Sequence, residues 1–382
     1  MAGAAVAVTA IAGTVTLAAP AGAVPVPLPE QCSATAYPSF TAGDPTLRVN
    51  GNAAVAAGGR LRVTPSALSQ AGSAFTTNKV NLADAGSFSS AFQFQFTAQR
   101  SGGADGLVFA VQPVANNVGG AGGGIGYAGI TPSIGVEFDN WFNGGDPDFG
   151  GGPVSDPNDS HVGIDVNGKV HSVATSTAID PLDNGQVKNA WVDYNGATDL
   201  LEVRLSQSTT RPVSALVTHT VDLPTLLGTT EVFAGFTSGT GAAAANHDVL
   251  SWTLNNCYYP IGADNPPVVD AGGPYGGAEG SAIALDGADV TDDSGSATTT
   301  WTYTPGPAVD PGATCAFSDA NAAQPTITCT DDGTYGLEVT ATDGVNPAVT
   351  ANATVEVTNN DPAVGTLAAA FTGPCTVAVT AP

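Results

Sequence analysis

Glu137 and Asp139 stand two residues apart in Val136-Glu137-Phe138-Asp139, a run that continues through Asn140, Trp141 and Phe142 to Asn143. On a β-strand that spacing points both carboxylates to the same face. Two like charges held together need a cation or a shared proton. After a Gly-rich insertion, Asp156-Pro157-Asn158-Asp159-Ser160-His161 follows, so Asn143, Asp156 and His161 add an amide oxygen, a carboxylate and an imidazole. An all-oxygen subset of these ligands suits Ca²⁺, and a subset containing histidine suits a transition ion such as Mn²⁺. The overall charge fits such a site: 9 Lys and Arg against 34 Asp and Glu leave −25. A surface that negative repels phosphate backbones and anionic lipid, which excludes nucleic acid as a partner. It tolerates a neutral partner such as a sugar, and it attracts divalent cations.

The elements that must carry these residues are short strands. From Thr46 to Leu254, β-branched and aromatic runs alternate with Gly, Asn, Asp and Pro clusters, with almost nothing at helical period. In Phe88 to Phe96 the residues Phe92, Phe94 and Phe96 alternate with Gln93 and Gln95, the pattern of a sheet with one buried face. Asn167-Gly168 and Asn195-Gly196 predict type I′ hairpin turns. Many short strands joined in this way predict a β-sandwich. Trp191, Phe236 and Trp252 read as core, and His247 as structural.

Four cysteines bracket these units. Cys32 and Cys257 enclose the first large segment, and a bridge between them would pin its two ends. A Cys315 to Cys329 bridge would close a short loop, worth roughly 3 kcal/mol, leaving Cys375 over. The stretch Gly262 to Pro274 reads as a linker passing into a second β unit, in which Trp301, Tyr303, Tyr335 and the alternating Leu337, Val339 and Ala341 suit an immunoglobulin-like sandwich. Residues 1–31 read as a leader, because an Ala-rich apolar run ends at Pro20 before the small triplet Ala21, Gly22, Ala23. Secretion to an extracellular or cell-surface location is the expectation, and it suits paired cysteines. No other apolar run is long enough to span a bilayer. The expected divisions are 32–258, a linker over 259–274, 265–358, and a truncated further repeat over 359–382, where Asn360-Asp361-Pro362 echoes Asn265-Pro266-Pro267.

The Glu137 to Asp165 stretch resembles the L-type (legume-type) lectin family. Ser101-Gly102-Gly103-Ala104-Asp105-Gly106 resembles that family's Ala-Asp-Gly loop, Gly122-Gly123-Gly124-Ile125-Gly126 its Gly-rich loop, and His247-Asp248-Val249-Leu250-Ser251-Trp252 its closing strand. In the second unit, Asn265-Pro266-Pro267, Asp270-Ala271-Gly272, Glu279-Gly280 and Asp331-Asp332-Gly333-Thr334-Tyr335 resemble the polycystic kidney disease (PKD) type repeat. Together these imply an all-β chain: a concanavalin-like jelly-roll β-sandwich followed by a smaller immunoglobulin-like (PKD-type) β-sandwich. The lectin resemblance further implies Mn²⁺ on Glu137, Asp139, Asp156 and His161, and Ca²⁺ on Asp139, Asn143, Asp156 and the Trp141 carbonyl. It implies a saccharide held by Asp105, a backbone N–H of Gly123, the Asn143 amide and the Trp141 ring, with a cis Ala104–Asp105 peptide. Asp146, in a second Asp-Pro pair, is the alternative to Asp156. The loop from Ser238 to Asn246 is mostly Gly and Ala and leaves sugar choice unread.

The competing enzymatic reading is a glycosidase of similar jelly-roll fold, with acids on one strand as Glu-x-Asp-x-x-Glu. Here the third acid is replaced by Phe142, and hydrolysis needs two free carboxyls across the scissile bond. The sequence therefore points to binding without catalysis; the alternatives are a structural or adhesive β-sandwich protein without sugar binding, or the binding arm of a larger secreted glycan-active enzyme. Single sites of this kind are weak, so avidity has to come from a homo-oligomer or repeated domains.

Overall fold

The computed structural model describes residues 29, 32–120, 122–143, 156–293, 295 and 297–360, together with the backbone of 368–373 and 376–380. The expected leader, the Gly144 to Ser155 insertion with Asp146, and Cys375 lie outside the described residues. The first sandwich is two antiparallel sheets of eight strands each. One sheet, which carries the site, runs in the order Lys169–Ser176, His161–Val166, Ile134–Asp139, Gly106–Gln112, Glu231–Gly239, Ala71–Thr76 and Leu47–Gly51, with Val80–Asn81 also joined to Glu231–Gly239. The opposite sheet runs Val217–Thr220, Leu200–Ser206, Lys188–Asn195, Phe88–Arg100, Ala244–Asn255, Arg60–Thr64 and Ala54–Ala56, with Ala34–Tyr37 on Ala244–Asn255.

Alternation decides what lies between the sheets. Phe92, Phe94 and Phe96 all point inward, and Phe92 and Phe94 pack against Phe138 at centroid distances of 5.7 and 4.8 Å. Val136 and Phe138 meet them from the site sheet, as do Leu107 and Phe109 from the neighbouring strand. Glu137 and Asp139, one residue out of phase, therefore face away from this core. The Cys32–Cys257 bridge forms beside the Ala34–Asn255 pair, stapling the first strand of the domain to the end of its last.

The two turn expectations diverge. Asn167-Gly168 joins His161–Val166 to Lys169–Ser176 as a two-residue hairpin, with φ of 57° and 66°, as type I′ requires. Asn195-Gly196 does not. Asn195 ends its strand, the loop runs on to Leu200, and the positive φ falls on Asp199 at 56°. Gly196 answers a different need, since a Cβ there would collide with the carbonyls of Asp84 and Ala85.

In the second sandwich a four-stranded sheet orders Tyr275–Ala278, Val349–Thr358, Gly333–Thr342 and Thr298–Pro305. It packs Trp301, Tyr335, Leu337 and Val339 with Leu285 and Ile327. Cys315 and Cys329 oppose each other on paired strands and are bridged. The Tyr335 hydroxyl donates to the Asp331 carbonyl four residues upstream at 2.9 Å, a corner typical of immunoglobulin-like folds. Val268–Asp270, inside the stretch read as linker and start of repeat, is a strand paired with Asp289–Thr291. Residues 368–373 and 376–380 form a hairpin.

His247 lies inside the first sandwich at 0 % exposure, edge-on to Phe96 with ring centroids 4.6 Å apart. Burial pulls its pKa down to about 3. The folded protein therefore keeps this imidazole neutral under conditions where the unfolded chain protonates it below about pH 6.5. The unfolded state binds the extra proton, so stability falls on acidification through this window, by about 1.4 kcal/mol per pH unit from this group alone. Urea unfolding of wild type and His247→Asn between pH 4 and 7 should give a difference that changes with pH by that slope. A difference independent of pH would show that His247 takes up its proton without unfolding.

Candidate functional site

The outer face of the site sheet collects the ionisable residues singled out by spacing. In the ladders Asp139 is paired with Gly106 on one side and His161 on the other, while Glu137 is paired with Val108 and Gly163. His161 Nε2 lies 3.3 Å from Glu137 Oε1, and its Nδ1 lies 3.0 Å from the Asn158 carbonyl. The Trp141 backbone N–H donates to Asp139 Oδ1 at 2.6 Å, and the Asn143 backbone N–H to Asp156 Oδ2 at 2.7 Å. These two bonds fold the chain after the strand back over the acids. Glu137, Asp139 and Asp156 are all buried, and Ile125, Tyr127 and Ile130 of the loop that precedes the Ile134–Asp139 strand pack with Val108, Ala110 and Val170.

Burial and mutual repulsion govern the protonation here. Asp139 is pushed well above the usual carboxylate range, first by burial, then by the Glu137 charge, with Asp156 and Asp105 adding to it. Asp156 is raised by burial, which outweighs the Asn143 amide and the attraction of His161. Burial works against a charged His161, yet the hydrogen bond and charge of Glu137 leave its pKa raised. Asp156 Oδ1 and Asp105 Oδ2 are buried without a hydrogen-bond partner among the described residues. Buried acceptors of this kind call for a proton or a cation.

Asp105 stands at the mouth of this face, 5 % exposed, and burial pushes its carboxyl up to about 7. Its peptide with Ala104 is cis, as are Thr131–Pro132 and Gly273–Pro274. Around it the chain is stripped of side chains. A Cβ on Gly241 would lie 3.7 Å from Asp105 Oδ2 and 3.9 Å from the Gly122 Cα, so the Ser238 to Asn246 loop, the Gly-rich loop and the aspartate converge at one point. The Gly-rich loop is pinned by Ile125 N donating to the Gly122 carbonyl at 2.9 Å and by Thr237 Oγ1 donating to the Ile125 carbonyl at 2.9 Å. Gly123 and Asn143 are half-buried, as is Trp141, whose ring edge packs against Gly102. A depression of about 370 Å³ opens beyond Trp141, between Asn140, Phe142, Ser160 and Asp183; it shares only Trp141 with the expected saccharide residues.

A family model for the legume lectin domain matches residues 33–266. The chain belongs to the legume lectin family. A PKD domain model matches residues 278–357 of the same lectin chain. Among curated relatives, the bark lectin of Styphnolobium japonicum is 31% identical over 241 residues, covering 58% of this chain and 84% of that one. The L-type lectin-domain containing receptor kinase VIII.1 of Arabidopsis thaliana is 33% identical over 191 residues, or 47% of this chain, and the match spans 26% of the kinase. The Bauhinia forficata lectin, solved in complex with GalNAc, aligns with a TM-score of 0.50 over 59% of this chain and 97% of its own at 23% identity, a likeness of fold alone.

The cluster around Glu137 contains three residues that spacing did not single out as functional. Ser172 Oγ bonds Glu137 Oε1 and, at 2.8 Å, Asp165 Oδ1. Asp165 is fully buried, and burial followed by the Glu137 charge raises its pKa well above the usual range. Gly163 lies between them, where an added Cβ would collide with both Ser172 Oγ and Glu137 Oε1. Asp165 shares strand parity with His161, which was a readable signal; Ser172 arrives across the hairpin and left none. A different acidic trio, Glu279, Asp331 and Asp332 in the second sandwich, is the one group among the described residues whose ligand atoms all lie within 4.8 Å of one another; the set around Glu137 is more open.

Gly163→Ala should therefore destabilise the lectin by about 1–3 kcal/mol through overpacking. Ser172→Ala added to it removes one of the two collisions and should recover part of that loss, a positive coupling in a double-mutant cycle read by urea unfolding. Additive losses would show that Gly163 is not held by this contact.

Proposed function

We propose that this lectin is a secreted, cation-dependent saccharide-binding protein whose site is the corner around Asp105. The observation that carries the reading is the convergence of unsatisfied buried carboxylates. Asp105 and Asp156 each present an unpartnered oxygen, and the charges of Glu137, Asp105 and Asp156 all act on Asp139. The donor set fits the implied ions: Glu137, Asp139, Asp156 and His161 would hold Mn²⁺, and Asp139, Asn143, Asp156 and the Trp141 carbonyl would hold Ca²⁺. When bound, the cations would supply positive charge that offsets the repulsion among these buried acids. The chain's own groups do the recognising. An ionised Asp105 accepts from sugar hydroxyls, the Gly123 N–H and the Asn143 amide donate, and Trp141 offers an apolar face to ring C–H groups.

Two features support binding without turnover. Phe142 stands, half exposed, where a glycosidase of similar strand pattern would need its acid. Glu137 is committed to His161 and Ser172, and Asp139 accepts from the Trp141 backbone N–H. A charge of −25 favours neutral glycans over anionic ones.

Binding to a neutral-glycan array should be present in the Ca²⁺- and Mn²⁺-loaded lectin and lost after chelation. Asp105→Ala and Asn143→Ala should each weaken it by at least about tenfold, the worth of one or two hydrogen bonds, with unfolding midpoints near wild type. An unchanged array after chelation and in both variants would reject this site, and a blank array for the loaded wild type would reject saccharide binding.

A further inference from the structure

Directly behind Asp105, four buried groups form a hydrogen-bonded line from one sheet to the other. His247 Nδ1 lies 2.7 Å from Thr64 Oγ1, Thr64 Oγ1 lies 2.8 Å from Ser238 Oγ, and Ser238 Oγ donates to the Gly106 carbonyl at 2.6 Å. Thr64, Ser238 and His247 are each 0 % exposed. Thr64 and His247 belong to the opposite sheet, Ser238 and Gly106 to the site sheet.

The far end of the line fixes the direction of every proton in it. A carbonyl only accepts, so the single hydroxyl proton of Ser238 goes to Gly106. Ser238 Oγ must then accept from Thr64, and Thr64 Oγ1 must accept from His247. Three contacts need three protons, and the third exists only if the imidazole carries its hydrogen on Nδ1. With the hydrogen on Nε2, one of the short contacts would set two lone pairs against each other. His247 thus carries a hydrogen on Nδ1, and its Nε2 is buried without a partner among the described residues.

We infer that His247 is a positioning residue for saccharide recognition: through Thr64 and Ser238 it holds the Gly106 carbonyl, and so fixes the residue to which Asp105 is joined on its C-terminal side. The inference rests on the saccharide reading of Asp105 given above. The geometry makes the hold consequential. Gly106 takes a φ of 139° and has no room for a Cβ against the Phe138 carbonyl. On the other side of the same residue pair, Asp105 N donates to the Gly239 carbonyl at 3.1 Å, and the Asp105 carbonyl accepts from Asn140 N at 3.3 Å. Those bonds stay within the site sheet and its loops. The line to His247 ties the corner to Ala244–Asn255, an inner strand of the opposite sheet. The neutral imidazole implied by the low pKa of His247 agrees with the proton count.

The test compares variants that separate donor from volume. His247→Asn places an amide nitrogen where Nδ1 was and loses ring volume; His247→Leu keeps bulk and loses the donor; Thr64→Val breaks the line with almost no change of shape. Titration with the methyl α-glycosides of galactose and mannose, in Ca²⁺ and Mn²⁺, reads affinity. Amide hydrogen exchange of Asp105 reads the backbone without any sugar, and ¹⁵N resonances of the wild-type imidazole read the tautomer. The expected result is an Nδ1–H imidazole. His247→Leu and Thr64→Val should each lose about tenfold or more in affinity and gain as much in Asp105 exchange, with His247→Asn much closer to wild type on both, since one buried hydrogen bond is worth about that factor. An Nε2–H tautomer, or a leucine variant that binds normally while the asparagine variant does not, would overturn the inference and leave His247 as packing. If wild type binds neither glycoside, the saccharide reading of Asp105 fails for these sugars. The positioning claim is then decided by Asp105 exchange, where no response to Thr64→Val overturns it.

Discussion

The first sandwich is organised around the burial of like charges side by side. Asp105, Glu137, Asp139, Asp156 and Asp165 share one covered face, and burial is the leading cause of the raised pKa of four of them. Uncompensated buried carboxylates cost several kcal/mol each, so a chain keeps them only where the rest of the fold supplies the deficit. Period-two alternation makes that possible. The strand that turns Glu137 and Asp139 outward turns Val136 and Phe138 inward, onto Phe92 and Phe94. The acids cannot relax into solvent without dragging a core strand with them.

How much of this was legible in the sequence follows from the range of each interaction. The shared face of Glu137 and Asp139 and the inward Phe92, Phe94 and Phe96 are consequences of local period, and both appear in the fold. The Asn167-Gly168 hairpin is equally local. Asn195-Gly196 has the same letters, but its glycine is demanded by the carbonyls of Asp84 and Ala85, more than a hundred residues upstream, which no turn rule registers. Ser172 and Gly163 were invisible for the same reason. Their meaning lies in a three-way contact with Glu137 across two strand pairings. Asp146 competes with Asp156 on spacing alone, and the bond from the Asn143 backbone N–H to Asp156 Oδ2 is a contact that spacing does not show.

The relation between His247 and the site shows the opposite case, a residue whose bland reading was right and insufficient. As a buried imidazole against Phe96 it is core. Its Nδ1 nevertheless begins a line of polar contacts that ends one residue from Asp105. Buried polar lines that are satisfied along their length rigidify what they join. Here they join the two sheets at the Gly106 carbonyl, beside Asp105.

That place is dictated by composition. Gly102, Gly103, Gly122 and Gly241 surround Asp105 with backbone, and the Ser238 to Asn246 loop adds little beyond Gly and Ala. A corner built this way presents few side-chain donors, so the surface it offers is set by where carbonyls and N–H groups stand. Glycine loses more conformational freedom on folding than any other residue and is the least able to hold a position by itself. The Thr237 bond to the Ile125 carbonyl, the Ser238 bond to the Gly106 carbonyl and the Asp105 bond to the Gly239 carbonyl are therefore the means by which a glycine-rich corner acquires a defined shape. Thr237, Ser238 and Gly239 are consecutive in one strand, so a single strand, registered between Gly106–Gln112 and Ala71–Thr76, sets the positions of the Gly-rich loop and the aspartate together. A shift of that strand would move both, which ties the geometry of the corner to the packing of Phe236 and its neighbours in the core beneath it.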